Sequence, residues 1–152
     1  MHEAISMPPI RPATEADLCR ITEIEIFNYR LNFYPIFRSD GFYFGEMQVL
    51  ARMASLHRLL DEFWVYDDGA VKGFMRVHGQ ELCKLFVEPV LQSRGIGAAL
   101  LEHAVAQLGV QHLWALEKNT RAIAFYERHG FHLTDLRRLE EGTTEYLIRM
   151  ER

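Results

Sequence analysis

Leu85-Phe86-Val87-Glu88-Pro89 is followed, after two residues, by Gln92-Ser93-Arg94-Gly95-Ile96-Gly97-Ala98. The first run is apolar and β-prone, and Pro89 ends it because proline cannot donate to a strand ladder. The second holds an arginine and two glycines and opens an amphipathic helix from about Gly95 to Leu108, with Leu101, Ala104, Val105 and Leu108 on its apolar side. Gly109 is placed to close that helix. The first turn of a helix leaves amide hydrogens unpaired at the positive end of its dipole. Glycine lets an anion approach those amides with no side chain between. The stretch therefore suits a phosphate or diphosphate, with Arg94 adding a full charge. A triphosphate loop would need Gly-Lys-Ser/Thr, but Ala98-Ala99 follows Gly97. A dinucleotide fingerprint would need a third glycine where Leu100 stands. Taken alone, Gly-x-Gly is equally a helix start with two turn glycines.

Outward from this stretch, strands and helices interleave. Ile10 to Ala13 reads as a first strand, and Thr14-x-x-Asp17 as a capping box opening a helix to about Tyr29. Leu18, Ile21 and Ile24 mark its apolar face. A second helix is predicted from about Glu46 to Leu60, burying Met47, Leu50, Ala51, Ala54 and Leu59. Between them lies an aromatic segment, Tyr29 to Phe44, interrupted by Pro35 and Gly41. Phe63 to Tyr66 and Val71 to His78 flank the turn Asp67-Asp68-Gly69, and Glu81 to Glu88 follows Gly79. His112 to Glu117 is a further strand; Asn119 caps a short helix that Gly130 ends. Phe131 to Arg137 and Thr143 to Met150 form a closing hairpin. This order predicts a single α/β (α+β) domain over residues 1–152, with one mixed sheet flanked by helices.

With 152 residues, 49% of them hydrophobic, the chain is large enough for one packed core. A net charge of −4 argues against nucleic acid as a partner. Cys19 and Cys83 have no metal-ligand spacing and read as reduced thiols, and the histidines show none either, so no metal is expected. Glu23, Glu25, Arg30 and Arg38 interrupt the apolar N-terminal third, so no membrane span is expected. Met1 to Pro9 lacks a basic segment followed by an apolar run, which leads to the expectation of a cytoplasmic protein.

Gln-x-x-Gly-x-Gly after Leu-Phe-Val-x-Pro resembles the coenzyme A signature of the GNAT superfamily of N-acetyltransferases. Asn119-Thr120-Arg121-Ala122-Ile123-Ala124-Phe125-Tyr126-Glu127-Arg128-His129-Gly130-Phe131 resembles its second motif, Asn-x-x-Ala-x-x-x-Tyr-x-x-x-Gly-Phe. The order of elements matches as well, so the likeness runs over nearly the whole chain. It is also similar to the bacterial members that acetylate ribosomal-protein N-termini.

The resemblance implies a mostly antiparallel GNAT-like sheet whose two central strands, Glu81 to Glu88 and His112 to Glu117, splay apart to admit the pantetheine arm of acetyl-CoA. Leu85, Phe86 and Val87 would pair with that arm, and the Val87 amide would stabilise the oxyanion of a tetrahedral intermediate. Gln92, Ser93, Arg94, Gly95, Ile96, Gly97 and Ala98 would hold the diphosphate, with Asn119 beside the arm. Buried strand is an equally valid reading of Leu85 to Val87. Tyr126 would protonate the departing thiolate or else pack against the channel. Glu81 stands six residues before Val87, so strand alternation places the two on one face. It is either the general base or a solvated edge residue. Tyr29, Tyr34 and Tyr43 either line an amine pocket or roof the core.

These implications define acetyl transfer from acetyl-CoA to a primary amine by direct attack in a ternary complex, with the acceptor and a homodimer left open. The alternatives are a non-catalytic acyl-CoA-binding or sensing module and a general nucleotide-binding domain.

Overall fold

The computed structural model describes residues 8–152; most of the stretch Met1 to Pro9 lies outside the described residues. Its centre is a seven-stranded sheet in the order β1-β2-β3-β4-β5-β7-β6. The strands are β1 (Ile10–Pro12), β2 (Phe63–Asp67), β3 (Val71–His78), β4 (Glu81–Val87), β5 (His112–Leu116), β6 (His132–Leu139) and β7 (Tyr146–Glu151). Every neighbouring pair is antiparallel except β4 with β5. That parallel pair is joined only at Glu81↔His112 and Leu82↔Leu113, after which the strands diverge. The splayed centre is thus present, and it opens at the end where Val87 stands.

Helices cover both faces. On one side lie α1 (Leu18–Asn28) and α3 (Val49–His57), where Leu18, Ile21, Ile24 and Leu56 pack on Phe63, Val65, Val71 and Phe74. Each fully buried Ile or Leu there contributes about 1.5–3 kcal/mol. On the other side lie α4 (Ile96–Leu108) and α5 (Thr120–Arg128), where Ile96, Leu100, Leu101, Ala104 and Ile123 pack with Met75, Leu82, Leu113 and Met150. The capping box forms: the Thr14 amide donates to Asp17 Oδ2 at 2.7 Å. Arg11 Nη1 and Nη2 clamp the same carboxylate at 2.7 and 2.9 Å, holding Asp17 below the usual carboxylate range.

Two expectations for the N-terminal half need correction. The first helix does not stop at Tyr29; it continues through a π-helical turn, Tyr29–Phe33, into α2 (Tyr34–Phe37). Pro35 sits in the first turn of α2, where a missing N–H costs nothing. A second π-helical turn covers Gly41–Glu46. The next helix starts at Val49 rather than Glu46, and its buried stripe is not the predicted one. Leu50 is 80% exposed, Ala51 and Ala54 face solvent, and Leu56 is the buried position. Met47 precedes the helix and packs instead with Ile26 and Tyr43.

Candidate active site

The divergence of β4 from β5 sets the geometry. Main-chain groups of successive residues in an antiparallel strand point to alternate sides. The Glu88 amide donates to Lys72, toward β3, at 2.9 Å. Val87 and Leu85 therefore direct theirs into the gap. Asn28 Nδ2 occupies the Val87 carbonyl at 2.9 Å, with Gln92 Nε2 at 3.5 Å, which leaves the Val87 N–H aimed at the opening.

At the mouth of the gap stands the start of α4. Gly95, at φ +85°, caps the helix in a left-handed conformation that a β-carbon would strain. Ser93 also has positive φ, at 65°. The first helical bond, Ala99 N–H to the Gly95 carbonyl at 3.0 Å, leaves the amides of Ile96, Gly97 and Ala98 without helical partners.

A cavity of about 420 Å³ runs between these groups and α5. Leu85, Phe86, Val87, Gln92, Ser93, Gly95, Gly97, Ala98, Asn119 and Tyr126 line it. Two predicted members do not: Arg94 is exposed beyond the rim, and Ile96 points its side chain into the core, offering only its amide. A β-carbon built on Gly97 would meet Phe125 and Val87 at 3.6 and 3.7 Å, ordinary contact distances. Packing does not require glycine there; what the missing side chain provides is open approach to the helix-start amides. Asn119 caps α5, accepting from the Ala122 amide at 3.3 Å, and its side chain borders the cavity. These features fit a diphosphate with an extended amide-bearing arm.

A second cavity, of about 960 Å³, opens on the other side of the splayed strands. Tyr29, Phe33 and Tyr43 form its aromatic wall, Lys84 and Trp114 part of its floor, and the β6–β7 turn with Glu140 and Glu141 its far lip. Tyr34 is not part of that wall; its hydroxyl donates to Asp40 at 2.6 Å. The aromatic segment both lines and roofs: Tyr29 and Phe33 also pack edge-on against Phe86. Tyr126 borders both cavities, and burial pushes its phenol well above the usual range. It is thus a proton-carrying group at the junction.

Glu81 and Val87 do not share a face. Arg76 pairs with Lys84 but Val77 with Leu82, so Cys83 is an extra residue, a bulge that resets the alternation. Leu82, Leu85 and Val87 pack toward α4, while Glu81 turns to the opposite face. Its carboxylate contacts Cys83 Sγ at 3.3 Å and His112 Nε2 at 3.5 Å, at the joined end of β4 and β5, and it lines neither cavity. Burial and that carboxylate push the Cys83 thiol up to about 11, which keeps it unreactive.

Several residues take positions at the site that the sequence had not assigned them. Buried Asn28 ties α1 to the strand end and to Gln92, whose Nε2 donates to it at 3.2 Å. Arg121, Phe125, Arg128 and His129 share one face of α5 and line the smaller cavity. Their i, i+4 and i+8 spacing was the available signal. Among the described residues no cluster of His, Cys, Asp or Glu is placed to hold a metal, and no helix is long and apolar enough to cross a membrane.

Comparisons with known proteins agree with this geometry. The family described as acetyltransferase (GNAT) domain matches residues 60–133. Peptidyl-lysine N-acetyltransferase YiaC of Escherichia coli is 31% identical over 127 residues, covering 83% of this chain and 84% of that protein. Peptidyl-lysine N-acetyltransferase YjaB of Salmonella typhimurium is 34% identical over 92 residues, 55% of this chain and 63% of that one, so the chain spans under two thirds of that relative. PaiA N-acetyltransferase of Thermoplasma acidophilum, solved in complex with coenzyme A, superimposes with a TM-score of 0.73 at 19% identity, over 94% of this chain and 98% of that one. The chain belongs to the GNAT family of acetyl-CoA-dependent N-acetyltransferases.

Proposed function

We propose that this domain transfers an acetyl group from acetyl-CoA to a primary amine of a protein or small molecule, both substrates bound at once. The observation that carries the reading is the junction of two cavities across splayed strands, with the Val87 N–H and Tyr126 at the crossing. Acetyl-CoA supplies, when bound, an electrophilic thioester carbonyl and a thiolate leaving group. The amides of Ile96, Gly97 and Ala98 hold its diphosphate at the positive end of α4, and Arg121 adds charge from α5. Leu85 and Val87 hold the pantetheine arm by main-chain bonds. The Val87 N–H, fixed by β3 behind and Asn28 beside it, donates where negative charge develops on oxygen.

Tyr126 keeps its proton across the working pH range, because burial disfavours the phenolate, and delivers it to sulfur. Glu81 does not serve as direct base: six strand residues put it about 20 Å from Val87, facing away. Glu140 and Glu141 border the acceptor cavity, and the ammonium proton leaves toward them through water. Glu145 is already paired with Lys118 at 2.9 Å. The peptidyl-lysine N-acetyltransferase names of the two relatives favour a protein amine as acceptor. They do not favour a non-catalytic binding module. We place the enzyme in the cytoplasm, where two unpaired cysteines, Cys19 and Cys83, stay reduced.

The test pairs binding with turnover. Acetyl-CoA at a hundred times its dissociation constant should stabilise the fold by about 2.7 kcal/mol. Tyr126→Phe should retain that stabilisation and lose at least about a hundredfold in kcat. A Tyr126→Phe enzyme with undiminished kcat would refute the assignment of the acid.

A further inference from the structure

Beneath the acceptor cavity lies a charge cluster that acetyl transfer itself does not use. Glu25, on α1, is fully buried. Its Oε1 accepts from Arg52 Nε at 2.8 Å and from Arg52 Nη2, and its Oε2 from Lys84 Nζ at 2.7 Å. One carboxylate thus meets two cations, and the cluster keeps a net charge of about +1. Charge balance alone needs one cation, so the cluster carries one positive charge more than the buried carboxylate neutralises, although each cation satisfies one of its oxygens. Arg52 and Lys84 are each partly exposed, 26% and 17% by side chain, and both border the cavity. The Lys84 ammonium and the Arg52 guanidinium retain donors beyond those Glu25 accepts. Lys84 also sits 5.5 Å from the Tyr29 ring centroid, beside an aromatic wall that lowers the local dielectric. Across the cavity, Glu140 and Glu141 make the lip negative.

Resting on the acetyl-transfer reading, we infer that the Arg52–Lys84 pair is an anion subsite: the acceptor carries a carboxylate as well as the amine. Three strand residues separate Lys84 from Val87, about 10 Å, so amine and carboxylate are joined through several bonds. An ω-amino acid has this form, as does a peptide whose carboxylate lies close to its reacting amine. The negative lip keeps a second anion away, which fixes the direction in which such an acceptor enters.

The test uses product-like probes on the coenzyme A-loaded protein, so it does not depend on turnover. N-acetyl-ε-aminocaproate should bind at least about tenfold tighter than its amide, the ratio expected when a charged hydrogen bond is gained. High salt should shrink the ratio. Lys84→Met, which takes the cluster to neutrality, should erase the preference. Glu25→Gln, which takes it to about +2, should preserve or enlarge it; a merely structural role would damage both variants alike. A lysine-terminated peptide with a free or an amidated C-terminus tells the two sources of carboxylate apart. Equal affinity for acid and amide in the unmodified protein, or a preference that survives Lys84→Met, would overturn the inference. Should Lys84→Met not fold, the unmodified protein and Glu25→Gln still decide. Tight acid binding without acetylation of any amine would instead count against the proposed activity.

Discussion

The two walls of the active site are built from different materials. On the cofactor side, β4, α4 and α5 present main-chain amides whose positions follow from strand pairing and helix geometry, and side chains such as Tyr126, Asn119, Gln92 and Arg121 add to them. On the acceptor side, two π-helical turns, a short helix and the β6–β7 turn add aromatic rings and charged side chains to the opened strands. A main-chain site survives most substitution because every residue carries the same amide. A side-chain site changes with each replacement. The first suits a substrate common to a family, the second one that differs between members.

If the contrast is right, the cofactor wall should break only where backbone access is blocked. Gly97→Asp adds a β-carbon at ordinary contact distance from Phe125 and Val87 and brings a like charge to the proposed diphosphate seat. It should raise the dissociation constant of acetyl-CoA at least about a hundredfold, near 2.8 kcal/mol by calorimetry, with the melting temperature unchanged. Next is Asn28→Leu, which leaves the Val87 carbonyl with only the long 3.5 Å bond from Gln92 Nε2 and removes the shorter bonds that Asn28 makes to both. It should cost about 2 kcal/mol in denaturant unfolding and blunt kcat through a misplaced Val87.

Asp17 lies far from either wall and should affect folding alone. Because Arg11 lowers its pKa in the folded state, its contribution is present above the unfolded carboxylate value and lost as pH falls through the folded one. Asp17→Asn should cost about 1 kcal/mol at neutral pH and flatten the acid limb of the stability profile. The smallest effect belongs to Leu50→Gln. With its side chain in solvent, it should change stability by no more than about 0.5 kcal/mol; a larger loss would mean α3 buries a different face.

The same contrast explains what the sequence disclosed. Pro89, the glycines of the α4 loop and the Asn119 cap act through backbone rules that hold anywhere, so the strand–loop–helix and the second motif were legible from the letters. The acceptor wall depends on departures from those rules. A π-turn shifts helical periodicity by a residue, and Pro35 opened a helix instead of breaking one. The bulge at Cys83 turned Glu81 to the other face, and no period-two pattern records a bulge. Glu25, Arg52 and Lys84 meet from three elements, with 27 and 59 residues between partners, so no local window joins them.

In the proposed complex coenzyme A lies on main-chain amides across the opened strands, and titrating the protein with it while following backbone amide shifts reads this out residue by residue. Large, saturable changes are expected at Leu85, Val87, Ile96, Gly97 and Ala98, with Glu81 and the joined end of β4 and β5 almost silent. Saturation of binding with those five amides unmoved, or with the changes centred elsewhere, would contradict it.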